Sequence, residues 1–372
     1  MKKNLFLLGL AVAAMTGCTN DEVVDMMQPT QKAIGFESFV NKTTRAITET
    51  TSPGNDLSTG MKKFHVYGYY NYDAGTVTEF NGWEVTRQEV TNNTTTSLLW
   101  EYTVPSDKTQ PYWTANNYYF AAVAQGNDAA KVGNVSFKPV TVTADDGTKT
   151  TTEGVLKIEN FTVAYANNQT VTECNANDLV ADIVYVQGST GKTERVGFNF
   201  DHLLSKIQFK IINTSTDGST VDITAVKING LKNTGTFTAA RGNTAADFSD
   251  ALTCENWEAI GSAYTDFIAY QATTDVEPDD DVLTSAEFLV LPQDLDGLTV
   301  TLIATYRDGN GSIVDEQNLT LNLSQTNYTS WKPQNAYLYQ IGLPSSAQPI
   351  KFDVTGVEGW TSANNGNAIT LN

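Results

Sequence analysis

Three observations predict an all-β protein built from sandwiches. Apolar residues alternate over short runs along most of the chain. Asp-Gly and Asn-Gly pairs recur between the runs. Thr, Asn, Gly, Val and Tyr are abundant, while charged residues make up only 17% of the sequence and are thinly spread. Successive side chains of a strand point to opposite faces, so alternation marks half-buried strands. The turn dipeptides supply backbone conformations that reverse a chain. Repeated at this spacing, the two signals favour sandwiches over parallel α/β units. A length of 372 residues is enough for two domains.

Taken in order, the elements begin with a short run in which Ile34 and Phe36 share a face, followed by the Thr-rich segment NKTTRAITETTSPG at residues 41–54. KKFHVYGYYNY sets Phe64, Val66, Gly68 and Tyr70 on one face, and NYYFAAVAQG follows a Pro111-Tyr112-Trp113 turn region. GVLKIENFTVAY alternates through Val155, Ile158 and Val163 with one slip. NDLVADIVYVQGST is apolar enough for a buried strand ending at Gly188, and RVGFNFDHLLSKIQFKIIN is the longest continuous signal. TVDITAVKINGLKNTGTFTAA reads as two strands joined in a hairpin at Asn229-Gly230. AEFLVLPQ, LTVTLIATYRDGNGSIVDEQNLTLNLS, AYLYQIGL and IKFDVTGV complete the set. Residues 91–96 and 141–153 read as solvated hairpin loops, and HLLSK and Ala245–Ala251 as short helical turns. The Gly-, Ser- and Thr-rich segment Gln187–Glu194 is the expected domain boundary.

The front of the chain is a processing segment. Lys2 and Lys3 precede an apolar run of about a dozen residues, the pattern of a secretory signal. The run is shorter than the roughly 20 residues that span a bilayer. Thr16 and Gly17 stand directly before Cys18, an arrangement that resembles a bacterial lipobox, with Met15 where leucine is usual. Cleavage there would leave Cys18 as a lipid-bearing N-terminus (palmitate being one such chain), anchored by roughly 0.8 kcal/mol per buried methylene. An ordinary signal peptide that happens to contain a cysteine is the plainer alternative. Asp21, Glu22 and Asp25 then form an acidic tether like that of surface-exported lipoproteins.

The formal charge of −19 becomes −21 once Lys2 and Lys3 leave with the signal. A surface of that sign repels nucleic acid and anionic membranes. Chemistry-bearing clusters are sparse. His65 and His202 are far apart in sequence, where a metal site gathers a tighter set of ligands. Asp279-Asp280-Asp281 lacks the spacing of a calcium loop. Cys174 and Cys254 have no histidine nearby to activate a thiol, and they could form a disulfide or remain two separate thiols. Neither a nucleophile elbow nor a phosphate-binding loop is present. Trp83, Trp100, Tyr112 and Trp113 could make a carbohydrate platform or pack in the core. The expectation is a non-enzyme without metal or cofactor.

Within RVGFNFDHLLSKIQFKI, the positions Phe200, His202, Leu204 and Lys206, followed by Ile207, Phe209 and Ile211, resemble the Phe-x-His-x-Leu-x-Lys strand of the fimbrillin-like pilus subunits of Bacteroidales, the type V pilus lipoproteins of major and minor fimbriae. Thr43–Ala46 resembles that family's Thr-Arg-Ala processing region. SWKPQNAYLYQIGL resembles its Trp-x-Pro/Ala-Gly-x-x-Tyr strand, with Gln334 and Asn335 in the usual glycine region. PIKFDVTGVEGWTSANNGNAITLN resembles its terminal pattern.

The resemblance implies two tandem Greek-key-like β-sandwich domains behind a lipoprotein signal peptide and a short N-terminal plug strand. The expected divisions are a signal peptide at 1–17, a propeptide with the plug at 18–45, an N-terminal sandwich at 46–190, and a C-terminal sandwich with a candidate donor strand at 191–372. It further implies outer-membrane lipoprotein export, cleavage between Arg45 and Ala46, and polymerisation with other pilus subunits at the cell surface, with a host or bacterial surface ligand as a further partner. Ile34 and Phe36 would lie in the plug. Ile350, Phe352, Val354, Ile369 and Leu371 would lie in the donor. The competing expectation is a surface lipoprotein that binds glycan or host protein and never polymerises. A secreted hydrolase is disfavoured, for want of an acid–base constellation.

Overall fold

The computed structural model describes residues 32–40, 61–72, 75–92, 95–126, 131–143, 145–164, 178–188, 195–242, 248, 252–263, 267–271, 275–276, 282–326, 328–345 and 351–359. It is nearly all strand, in sheets that pack as sandwiches. In chain order the strands are β1 (Phe36–Val40), β2 (Lys63–Tyr72), β3 (Gly75–Asn92), β4 (Thr95–Tyr102), β5 (Asn117–Gln125), β6 (Val135–Thr143) and β7 (Lys149–Thr162). Next come β8 (Leu179–Val186), β9 (Val196–His202), β10 (Ser205–Asn213), β11 (Thr220–Asn229), β12 (Thr234–Gly242), β13 (Trp257–Ile260) and β14 (Phe267–Gln271). The last are β15 (Asp275–Val276), β16 (Val282–Thr284), β17 (Phe288–Val290), β18 (Thr299–Arg307), β19 (Ile313–Asn322), β20 (Asn335–Leu343) and β21 (Lys351–Gly359).

The first sandwich is built on a seven-stranded sheet in the order β1-β9-β8-β5-β2-β3-β4. Its central strand β5 is apolar on both faces and buried along nearly its whole length. Ala121 and Val123 enter one core, which is closed by a second sheet, β13-β12-β7-β6, through Leu156, Ile158, Phe237, Ala239 and Trp257. Tyr118, Phe120, Ala122 and Ala124 enter the other core. The buried residues of that second core come from the seven strands and the segments entering them, and β1 lies against β4, the far end of the strand order. The sheet therefore curls on itself around a ring-rich interior.

The second sandwich packs a sheet of order β16-β10-β20-β21, with β17 also on β10, against one of order β14-β11-β18-β19, with β15 also on β11. Between them lies a core that includes Ile207, Phe209, Ile211, Ile223, Val226, Leu302, Trp331, Tyr339 and Ile341. Strand β10 shows why its sequence selects this place: alternate residues from Ser205 to Asn213 are buried and half-buried.

Three expectations need correction. The division at 190/191 does not follow the sheets, because β8 and β9, on either side of Gln187–Glu194, belong to the same sheet and pair at Val180↔His202 and Ala181↔Asp201. The crossing to the second sandwich comes at Leu203-Leu204, where the longest apolar signal breaks into β9 and β10 without a helical turn. Nor does Asn229-Gly230 close a hairpin. Strand β11 pairs with β14 and β18, while β12 returns to the first sandwich and pairs with β7. Gly230 has φ 89° and Leu231 is fully buried, so the pair turns the chain between sandwiches. The 141–153 loop is shorter than expected, since β6 and β7 pair as far as Thr143↔Lys149.

Candidate functional site: the groove around the leading strand

Strand β1 enters the curled sheet at its seam. The segment leading into it is held first by the loop before β5: Ile34 N donates to Pro111 O at 3.0 Å and Trp113 N donates to Lys32 O at 2.9 Å, around an antiparallel Ala33–Tyr112 bridge. The chain then passes to β9, where Val196 N donates to Gly35 O at 2.9 Å. From Phe36↔Val196 to Val40↔Phe200 the two strands run parallel. On the opposite side, Tyr102 Oη donates to Ile34 O at 2.6 Å and Arg195 Nε donates to Phe36 O at 2.8 Å. Arg195 Nη2 also donates to Trp100 O. One guanidinium thus ties β1 to β4 across the seam.

Beneath this backbone frame, Ile34 and Phe36 point into the ring-rich core and are fully buried. The Phe36 ring meets Phe80 edge-on at 5.0 Å, Phe120 edge-on at 5.8 Å and Phe198 in a stack at 5.8 Å. Burying two such side chains is worth about 3–6 kcal/mol. Between them, Gly35 faces the stem of Arg195, where an added Cβ would sit 3.3 Å from Cγ and Nε. The site is a groove that takes an extended segment by main-chain bonds along both edges and by two alternate apolar side chains. These are the two elements of β-strand addition.

Asp182 shapes the wall of the groove. The β8–β9 ladder gives way beyond Ala181↔Asp201, and the buried Asp182 carboxylate takes its place, accepting from Ile183 N and Asn199 N, both at 2.7 Å. Behind it, His202 Nδ1 lies 2.8 Å from the buried Asp178 carboxylate. His65 is a separate feature, buried in β2 with Nε2 3.7 Å from Glu84.

Trp83, Trp100 and Trp113 are buried around the groove and Tyr112 is half-buried, so these rings line the core and do not form an exposed platform. Phe352 and Val354 lie in β21, at the edge of its sheet, in register with Ile341 and Tyr339 of β20. Cys254 is a free, half-buried thiol, pushed up in pKa by burial first and by Asp294 second. Among the described residues no three His, Cys, Asp or Glu side chains gather as metal ligands. Cys18, Arg45, Ala46, Cys174, Asp279-Asp280-Asp281, Ile350, Ile369 and Leu371 lie outside the described residues.

Sequence reasoning missed Tyr102, Asp182 and Arg195. Asp182 carried a signal, since a carboxylate in the apolar run LVADIVYV must find donors if the strand is buried. Tyr102 and Arg195 carried none, because their partners are backbone carbonyls distant in sequence.

A comparison with curated proteins found no match. Among solved structures, a fimbrial protein of Bacteroides vulgatus is similar over 88% of this chain and 99% of its own, at 16% identity and a TM-score of 0.51. Candidate cell adhesion proteins of Bacteroides uniformis and Bacteroides ovatus match with TM-scores of 0.42 and 0.45. They are 17% and 13% identical, covering 88% and 90% of this chain and 98% and 99% of theirs. At such identities the Bacteroides vulgatus likeness speaks to the fold. The family model described as Fimbrillin-like matches residues 44–360, most of the sequence, and on that match the chain belongs to the fimbrillin-like family.

Proposed function

We propose that this chain is a structural pilus subunit that polymerises by exchanging β1 for a strand of its neighbour, in the service of surface adhesion. The observation that supports it best is the leading strand itself. β1 sits in parallel at the end of a sheet, with Ile34 and Phe36 as its anchors in the core, and is joined to the body by residues 41–60. Removing such a strand leaves a row of backbone groups and an apolar trough that an extended segment can fill. In this reading Cys18 carries the lipid of an exported outer-membrane precursor, and cleavage between Arg45 and Ala46 frees β1. A head-to-tail contact of this kind builds an open filament when its rotation does not close. The donor is the segment following β21, with Ile369 and Leu371, because Phe352 and Val354 are already paired with β20. The role is structural and not catalytic, in keeping with the family.

One observation favours the competing reading of a surface lipoprotein that does not polymerise: β21 is paired within its own chain. The experiment that separates them is replacement of Arg45. Surface material from cells making the native chain is expected to give a ladder of heat-resistant multimers on detergent gels. Arg45→Ala is expected to give lipidated monomer, with acylated Cys18 retained by mass spectrometry. A normal ladder from Arg45→Ala refutes the role of Arg45. A lone monomer band from the native chain supports the competing reading.

A further inference from the structure

The groove fixes the register of whatever strand enters it. Two carbonyls, those of residues 34 and 36, are taken on the β4 side by Tyr102 and Arg195, and the residue between them faces the Arg195 stem. A one-residue slip would turn Ile34 and Phe36 out of the core and drive the residue between them inward. The groove therefore reads an apolar-small-apolar triplet. The sequence contains a second copy of the leading pattern. Ala33-Ile34-Gly35-Phe36 is echoed by Ala368-Ile369-Thr370-Leu371. Ten residues separate Gly359, the end of β21, from Ile369, a span that can reach roughly 33 Å when extended.

We infer that Ala368–Leu371 of one copy enters the β1 groove of the next in the register of Ala33–Phe36, with Ile369 in the Ile34 site, Leu371 in the Phe36 site and Thr370 against Arg195. This inference rests on the strand-donation reading above. Arg195 and Tyr102 are positioning residues for the incoming strand: each donates to a main-chain carbonyl, so neither depends on the identity of that strand's side chains. Thr370 brings a Cβ to the place where Gly35 has none. The flexible Arg195 stem must give by a few tenths of an ångström, which limits the size of the residue tolerated there. Lys32 and Asn367 stand one position ahead of the two patterns, so the preceding carbonyl can meet Trp113 N in either case.

The test is site-directed cross-linking in the full chain with its native Arg45. Arg195→Cys combined with Thr370→Cys is expected to give oxidation-dependent links between subunits. Each single substitution is expected to give none beyond the native background. Ala368→Cys and Asn372→Cys, each with Arg195→Cys, report two-residue slips and are expected to give none. Gly35→Cys with Arg195→Cys, in an Arg45→Ala chain, is expected to form the corresponding bond within one monomer.

Multimers that link through residue 368 or 372 and not 370 overturn the register while leaving strand donation intact. A native chain that forms no multimers overturns both. Because Arg195→Cys removes a groove contact, a second measurement keeps Arg195. Thr370→Gly is expected to preserve the heat-resistant ladder, and Thr370→Trp to reduce it by about 10-fold or more. Equal ladders from the two variants overturn the inference.

Discussion

At the scale of single residues, the buried polar groups do different work. Asp182 is acceptor to two amides that the failing β8–β9 ladder leaves over. Buried carboxylates persist only where such donors meet them. His65 has no comparable partner. Burial lowers its pKa first; Glu84 opposes that shift, while Lys131 and Lys63 reinforce it. The unfolded chain titrates this histidine near 6.5, and the folded one does so at lower pH. Between the two values the unfolded state binds more protons, so folding stability rises with pH in that window. The contribution is fully present above 6.5 and is lost as pH falls through the folded value. Urea unfolding at pH 7.5 and 5.5 is expected to show a larger drop in midpoint for the native protein than for His65→Gln. Carboxylates common to both proteins cancel in that comparison, and equal drops would remove His65 as a source of acid sensitivity.

At the scale of elements, strand existence was legible and strand partnership was not. The alternation in SKIQFKIIN predicts β10 correctly because one face of it meets a core and the other is half-exposed. The apolar run of β5 is also read correctly, as a strand covered on both sides. Asn229-Gly230 misleads because a positive-φ glycine turns a chain equally well inside a hairpin or between sandwiches, and only the buried Leu231 beyond it records the difference. Of the groove, Ile34 and Phe36 were visible from their spacing, whereas the donors on the β4 side come from residues about 70 to 160 positions away. Strand β1 is a separable element, and this sets a prediction. Phe36→Ala removes a buried ring, a loss of about 3–5 kcal/mol, from a strand at the end of its sheet. The loss is expected as local release of β1: exchange of the Val196 amide, which donates to Gly35 O, should accelerate by about 100-fold or more. Amides of β20, which pair with β10 and β21 in the other sandwich, are expected to keep their protection. Uniform acceleration throughout would show that β1 is integral to the fold and not a detachable plug.

At the scale of the molecule, the chain visits the first sandwich, crosses at Leu203-Leu204, builds β10 and β11, and returns for β12 and β13 before completing the second sandwich. The core of the first sandwich accordingly includes Phe237, Ala239 and Trp257 from the returning strands and Leu289 and Leu291 from beyond them. Trp257 Nε1 donates to Leu203 O at 2.6 Å, tying the return to the crossing point. A cut at 190/191 therefore removes β9, β12 and β13 from the piece that contains β2 to β8. It strips one side of β7 of its partner and opens the apolar face that β12 covers. Exposed apolar surface and an unpaired strand edge favour loss of specific packing and aggregation. The fragment 46–190 is thus expected to show no cooperative thermal transition and no resolved near-ultraviolet dichroism, while the chain from Ala46 to Asn372 shows both. A cooperative transition from 46–190 alone would mean that β12 and β13 are attached to the first sandwich without being needed to form it.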